Sequence, residues 1–88
     1  MSRIAILGGG SWGTALATVL SRARRKHAIS LWVHDPALAE SIRRDRENRS
    51  YLPGHRLNAD VNVTSGIGDA ILDAQILVGA IQIGRAHV

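Results

Sequence analysis

The chain has no cysteine and no phenylalanine, only two prolines, and as aromatics only Trp12, Trp32 and Tyr51. Without cysteine there is no disulfide framework and no thiolate metal site, and such a composition suits a reducing compartment. Three scattered aromatics do not make the stacking platform on which single-stranded nucleic acids are held. No apolar run approaches the roughly 20 residues needed to cross a bilayer, and the first apolar run meets glycine too soon for a signal peptide. His27, His34, His55 and His87 show no paired ligand spacing, so no metal is expected. These absences predict a soluble, cytoplasmic protein with neither a nucleic-acid nor a membrane partner.

What is present fits one small domain. A hydrophobic content of 45% over 88 residues is ordinary for a globular chain and argues against disorder. The net charge of +4 sits largely in two clusters, Arg22-Ala23-Arg24-Arg25-Lys26 and Arg43-Arg44-Asp45-Arg46-Glu47-Asn48-Arg49. The first falls where a helix should end, a place that favours cations. The second is interleaved with acids, as on a solvated helix face.

Arg3 to Leu7 (RIAIL) reads as a buried strand. From Trp12 onward Ala15, Leu16, Val19, Leu20 and Ala23 recur at helical spacing and predict one apolar face. Ala28 to Val33 reads as a second strand, and Pro36 opens a second helix with Leu38 and Ile42 on one side. The loop from about Asn48 to Asp60 carries the Pro53-Gly54 breaker. Val61 to Thr64 then reads as a third strand, Gly68 to Leu72 as a helical turn, and Gln75 to Ile81 as a fourth strand buried on both faces. Alternating strands and helices predict an α/β fold, a Rossmann-type doubly wound parallel sheet truncated after about four strands.

Between the first strand and first helix lies GGGSWGTALA, Gly8 to Ala17, which contains Gly8-x-Gly10-x-x-Gly13. That spacing is shared by many turns; the strand before it and the helix after it are the context a dinucleotide fingerprint requires. Gly8 allows the tight turn out of the strand, Gly10 lets a pyrophosphate reach bare backbone, and Gly13 brings the helix close to the sheet. Ser11 and Trp12 sit at the helix start, where unpaired N–H groups favour phosphate. The competing reading is a turn that serves packing alone.

Asp35, at the end of the second strand, stands where an acid grips the ribose of NAD; followed by Pro36, it is equally a helix N-cap. His34 is placed beside the adenosine ribose. NAD and NADP both remain open. Ser11 has no base partner that would make it a nucleophile. Asn48-Arg49-Ser50 and Asn62-Val63-Thr64 match the glycosylation pattern without any sign of secretion.

GGGSWGTALA, then LWVHDP, then NRSYLPGHRL closely resemble the N-terminal part of bacterial NAD(P)-dependent glycerol-3-phosphate dehydrogenases, over about residues 3 to 81. The resemblance implies cofactor contacts at Ser11, Trp12 and His34, and at Tyr51, whose alternative role is to pin its loop to the sheet edge. It implies hydride transfer between dihydroxyacetone phosphate and sn-glycerol 3-phosphate, feeding phospholipid synthesis, with that small molecule as partner and a homodimer as a possible assembly. The family's catalytic lysines are expected beyond the end of this chain, so no residue here is assigned to catalysis.

Two positions depart from the family pattern: Arg25-Lys26-His27 replaces a turn glycine, and Ile81 stands where a proline is usual. The last six residues, IGRAHV, are what a common sequencing adapter encodes in one frame. Residues 1–82 are therefore expected to form an incomplete dinucleotide-binding domain and residues 83–88 a non-native tail. Another Rossmann NAD(P)-dependent reductase, or a non-catalytic nucleotide-binding module, are the alternative functions.

Overall fold

The computed structural model describes residues 2–22 and 27–79. Their order is β1 (Ser2–Leu7), α1 (Ser11–Ser21), β2 (His27–Trp32), α2 (Pro36–Asp45), β3 (Asn62–Thr64), α3 (Ile67–Ile71) and β4 (Ile76–Gly79). The four strands form one sheet in the order β3-β2-β1-β4, with every pair parallel. The expected architecture is present, with element ends within a residue or two of their predicted places. Residues 23–26, Ile81 and the expected tail 83–88 lie outside the described residues.

β1 is the centre of the sheet, and Ile4, Ala5 and Ile6 are buried in succession because both its faces are covered. Ile29, Leu31 and Val33 from β2 and its end, Ala39 and Ile42 from α2, and Val61 and Val63 around β3 complete the core with Leu57 from the long loop. Each such isoleucine, leucine or valine contributes about 1.5–3 kcal/mol on leaving water. The parallel register brings Leu7 opposite both Trp32 and Gly79, so the carboxyl ends of β1, β2 and β4 share one edge.

Four expectations need correction. The buried positions of α1 are Gly13, Thr14, Ala17 and Thr18, while Val19 is 66% exposed. Leu16 and Leu20 pack only partly against the core. Small size, not hydrophobicity, decides which positions let this helix approach the sheet. The threonines are accommodated because their hydroxyls are bonded: Thr18 Oγ1 donates to the Thr14 carbonyl at 2.9 Å.

β4 is not buried on both faces. Ile76 is 46% and Leu77 57% exposed, because β4 is an edge strand whose principal neighbour among the described residues is β1. His27, assigned to a turn, is instead the first residue of β2, opposite Ser2.

The second basic cluster is also less solvated than expected. Arg46 ends α2 in the left-handed conformation (φ 53°), and its Nη2 donates to the carbonyls of Asn58 at 2.6 Å and Val61 at 2.8 Å. Burial lowers its pKa from the ordinary arginine value. Arg43 Nη1 donates to the Val63 carbonyl at 3.0 Å. Both guanidinium groups fasten α2 to the chain around β3.

Candidate dinucleotide-binding site

A cleft of about 670 Å³ opens at the carboxyl edge of the sheet, where the chain order reverses between β2 and β4 on either side of β1. Ligands of open parallel α/β sheets occupy this crevice. Its floor is Gly8, Gly9 and Gly10; Ser11 and Trp12 open α1 on one side, and Val33, His34 and Asp35 follow β2 on the other. Trp32, Leu38, Tyr51 and Gly79 complete it. Of the expected site residues, Gly8, Gly10, Ser11, Trp12, His34, Asp35 and Tyr51 line this cleft. Gly13 lies behind it, buried in the first turn of α1.

Each glycine on the floor has its own constraint. Gly8 has φ 130°, which L side chains rarely adopt, and its N–H donates to the Trp32 carbonyl at 3.0 Å, tying the turn to the end of β2. At Gly10 a Cβ would meet nothing within 4 Å, so the bare backbone there faces open space. Gly9, which the fingerprint spacing leaves free, is the tightest: a Cβ would lie 2.7 Å from Val33 Cγ2. Sequence reasoning missed it because motif spacing says nothing of what crosses behind the turn.

Gly10 caps α1 without a side-chain hydrogen bond, and no acid lies in the first turn. The Thr14 N–H is the first to find a helical partner, the Gly10 carbonyl at 3.0 Å. The N–H groups of the first turn therefore have no acceptor within the helix, and the helix dipole adds partial positive charge there. A bare, uncapped helix start against an open cleft fits an anionic phosphate.

Asp35 does cap α2: its Oδ1 accepts from the Ala37 N–H at 3.0 Å. It is also exposed and lines the cleft, so capping leaves its second oxygen available. His34 is exposed and packs its ring against Trp32, with centroids 5.7 Å apart. Trp12 and Tyr51 are 65% and 55% exposed, two aromatic faces on the walls.

Asn48 fastens the Tyr51 loop, a role to which neither its place in the charged cluster, the glycosylation pattern nor the NRSYLPGHRL stretch pointed. Asn48 is fully buried with its amide engaged, so it offers nothing to a glycosyl group. In the sequence it opens the NRSYLPGHRL stretch that carries part of the family resemblance, but nothing local there separates a buried asparagine from any loop asparagine. No helix among the described residues is long and apolar enough to cross a membrane.

The family model for the NAD-dependent glycerol-3-phosphate dehydrogenase N-terminus matches residues 3–85. The chain belongs to this family. A glycerol-3-phosphate dehydrogenase [NAD(P)+] of Nitratidesulfovibrio vulgaris is 46% identical over 79 residues, 90% of this chain and 23% of the relative. The enzyme of the same name from Alcanivorax borkumensis is 47% identical over 77 residues, 88% of this chain and 22% of the relative.

Among solved structures, glycerol-3-phosphate dehydrogenase from Coxiella burnetii superposes with a TM-score of 0.80 at 29% identity, over 89% of this chain and 23% of that one. The yeast Saccharomyces cerevisiae enzyme gives 0.77 at 26% identity, over 91% and 26%. The chain thus spans about a quarter of the length of the relatives it matches.

Proposed function

We propose that residues 1–82 are the dinucleotide-binding domain of an NAD(P)-dependent glycerol-3-phosphate dehydrogenase, which interconverts sn-glycerol 3-phosphate and dihydroxyacetone phosphate in the cytoplasm. One observation carries the reading: the uncapped N-terminus of α1, with Gly10 against open space, sits in a cleft at the carboxyl edge of a parallel sheet. The relatives' names, glycerol-3-phosphate dehydrogenase [NAD(P)+], support the reaction class and agree with a sequence reading that leaves both cofactors open.

When bound, the nicotinamide cofactor supplies or accepts the hydride. In this reading the backbone of Gly10, Ser11 and Trp12 holds the pyrophosphate, while Gly8 and Gly13 place the turn and the helix. His34 and Asp35 flank the adenosine ribose, and Tyr51 and Trp12 wall the cleft. None of these residues is assigned to proton transfer; the resemblance puts that on lysines beyond this stretch. A homodimer is the assembly we propose, and residues 83–88 are proposed as a non-native tail.

The test is to titrate the full-length gene product with NADH and NADPH, then follow cofactor oxidation on adding dihydroxyacetone phosphate, with light scattering for the assembly. Saturable binding with turnover is the expected result. Binding without turnover on this substrate would favour another reductase or a non-catalytic module, and no binding of either cofactor would overturn the reading.

A further inference from the structure

A fully buried side-chain amide is costly unless its groups are paired, and Asn48 pairs all of them. Its Nδ2 donates to the Gly9 carbonyl at 2.7 Å and to Thr14 Oγ1 at 2.9 Å. Its Oδ1 accepts from the Tyr51 N–H at 3.2 Å, and its own carbonyl accepts from the Leu52 N–H at 2.7 Å. One residue, at the foot of the loop, thus holds the glycine turn, the first turn of α1 and the backbone that carries Tyr51. The segment is closed around it: Glu47 bridges Arg56, Glu47 Oε2 accepts from the Gly54 N–H at 2.9 Å, and the Leu57 N–H donates to the Arg46 carbonyl at 2.7 Å.

The hold on Gly9 has an electrostatic consequence. Asn48 does not line the cleft, whereas Gly9 and Gly10 do. The Gly9 carbonyl is drawn to a buried partner outside the cleft lining. In a trans peptide the following N–H, that of Gly10, points the opposite way from this carbonyl. A carbonyl oxygen released from Asn48 and free to turn would bring negative charge toward the place where an anion is to sit.

We propose that Asn48 is a positioning residue for the dinucleotide: it keeps the Gly9 carbonyl turned from the phosphate site and locks the Tyr51 loop to the same turn. This rests on the dinucleotide reading of the cleft. Thr14 belongs to the same buried cluster but holds neither the Gly9 peptide nor Tyr51 as firmly, its own Oγ1 lying 3.5 Å from the Gly9 carbonyl. Affinity and stability should therefore separate between the two residues.

The experiment is NADH titration with thermal melts on the full-length gene product, comparing wild type with Asn48→Ala and Thr14→Val. Both variants should melt earlier. Asn48→Ala should weaken NADH binding about tenfold or more, as expected for a misplaced binding group, while Thr14→Val binds within about threefold of wild type. In a Tyr51→Ala background the Asn48→Ala loss should shrink, because part of it acts through Tyr51.

Asn48→Asp, which keeps the acceptor for the Tyr51 N–H and loses the donors, serves if Asn48→Ala does not fold. The inference falls if a folded Asn48 variant binds like wild type, if affinity follows melting temperature equally in both positions, or if no Asn48 variant folds at all. Failure of wild type to bind NADH or NADPH would instead sink the dinucleotide reading on which it stands.

Discussion

Gly9 and Gly10 are neighbours with opposite requirements. At Gly10 the backbone is ordinary (φ −76°) and a side chain would enter open space, so Gly10→Val should fold with stability within about 1 kcal/mol of wild type. The new methyls would occupy the pyrophosphate position, and NADH affinity of the full-length product should fall about tenfold, near 1.4 kcal/mol. Gly9→Ala should do the reverse. Its Cβ would press on Val33 Cγ2, and such overpacking costs about 1–3 kcal/mol, partly recovered by adding Val33→Ala. Melting curves and NADH titrations on the two variants check both directions; a Gly10→Val protein that binds normally would remove the phosphate site from this turn. Asp35 combines two roles, and one variant separates them. Asp35→Ala removes the acceptor of the Ala37 N–H and should cost about 1 kcal/mol of stability. If its free oxygen also meets the ribose, NADH binding should weaken much more than NADPH binding. Equal, small changes in both affinities would leave Asp35 a cap alone.

Among the elements, the junction of α2 with the long loop depends on a residue that sequence patterning assigned to solvent. Arg46 adopts a left-handed backbone while its guanidinium satisfies the Asn58 and Val61 carbonyls. Arg46→Met keeps much of the stem but leaves both carbonyls without this donor, and should destabilise by about 1–3 kcal/mol in thermal melts. Arg46→Gly removes the backbone strain along with the staple, so the two variants together apportion the effects; an unchanged melting temperature in Arg46→Met would show the staple to be idle. The same region shows where sequence reading succeeds and stops. Strands and helices were legible because Ile4 to Ile6, Ile29 to Val33 and Ala39 with Ile42 are apolar in the periods their elements demand. Much of the cleft lining was legible, Gly8 and Gly10 from the fingerprint spacing and Trp12, His34 and Tyr51 from the family resemblance, while Gly9 was not. What was not legible are long-range polar contacts: Asn48 meets Gly9 across 39 positions, Thr14 across 34, and the Arg46 staples depend on loop geometry that no local pattern encodes. The buried face of α1 was misread for a related reason, since Thr14 and Thr18 look polar until their hydroxyl partners are known.

For the molecule as a whole, the proposed function divides dinucleotide binding from hydride transfer along the full-length protein. Hydride transfer needs the reacting carbonyl held against the nicotinamide and an acid placed to protonate the developing alkoxide. The cleft is lined by glycines, Ser11, aromatic rings, Val33, Leu38, His34 and Asp35, and none of these carries an assigned role in proton transfer in the proposed function. Among the described residues the sheet has β3 at one edge and β4 at the other, and at β4 Ile76 and Leu77 stand exposed shortly after a still more exposed Leu72. An apolar strand at an open edge is a template for association with another chain. The 88-residue chain expressed alone should accordingly self-associate in light scattering, bind NADH weakly at best, and oxidise none when dihydroxyacetone phosphate is added. The full-length gene product should stop at the proposed homodimer, bind NADH saturably and oxidise it on adding dihydroxyacetone phosphate, and replacing Ile76 and Leu77 by threonine should improve the solubility of the short chain without conferring turnover. Turnover above a no-enzyme blank from verified 88-residue material would overturn this division, and would require a proton donor among His34, Asp35 and Tyr51.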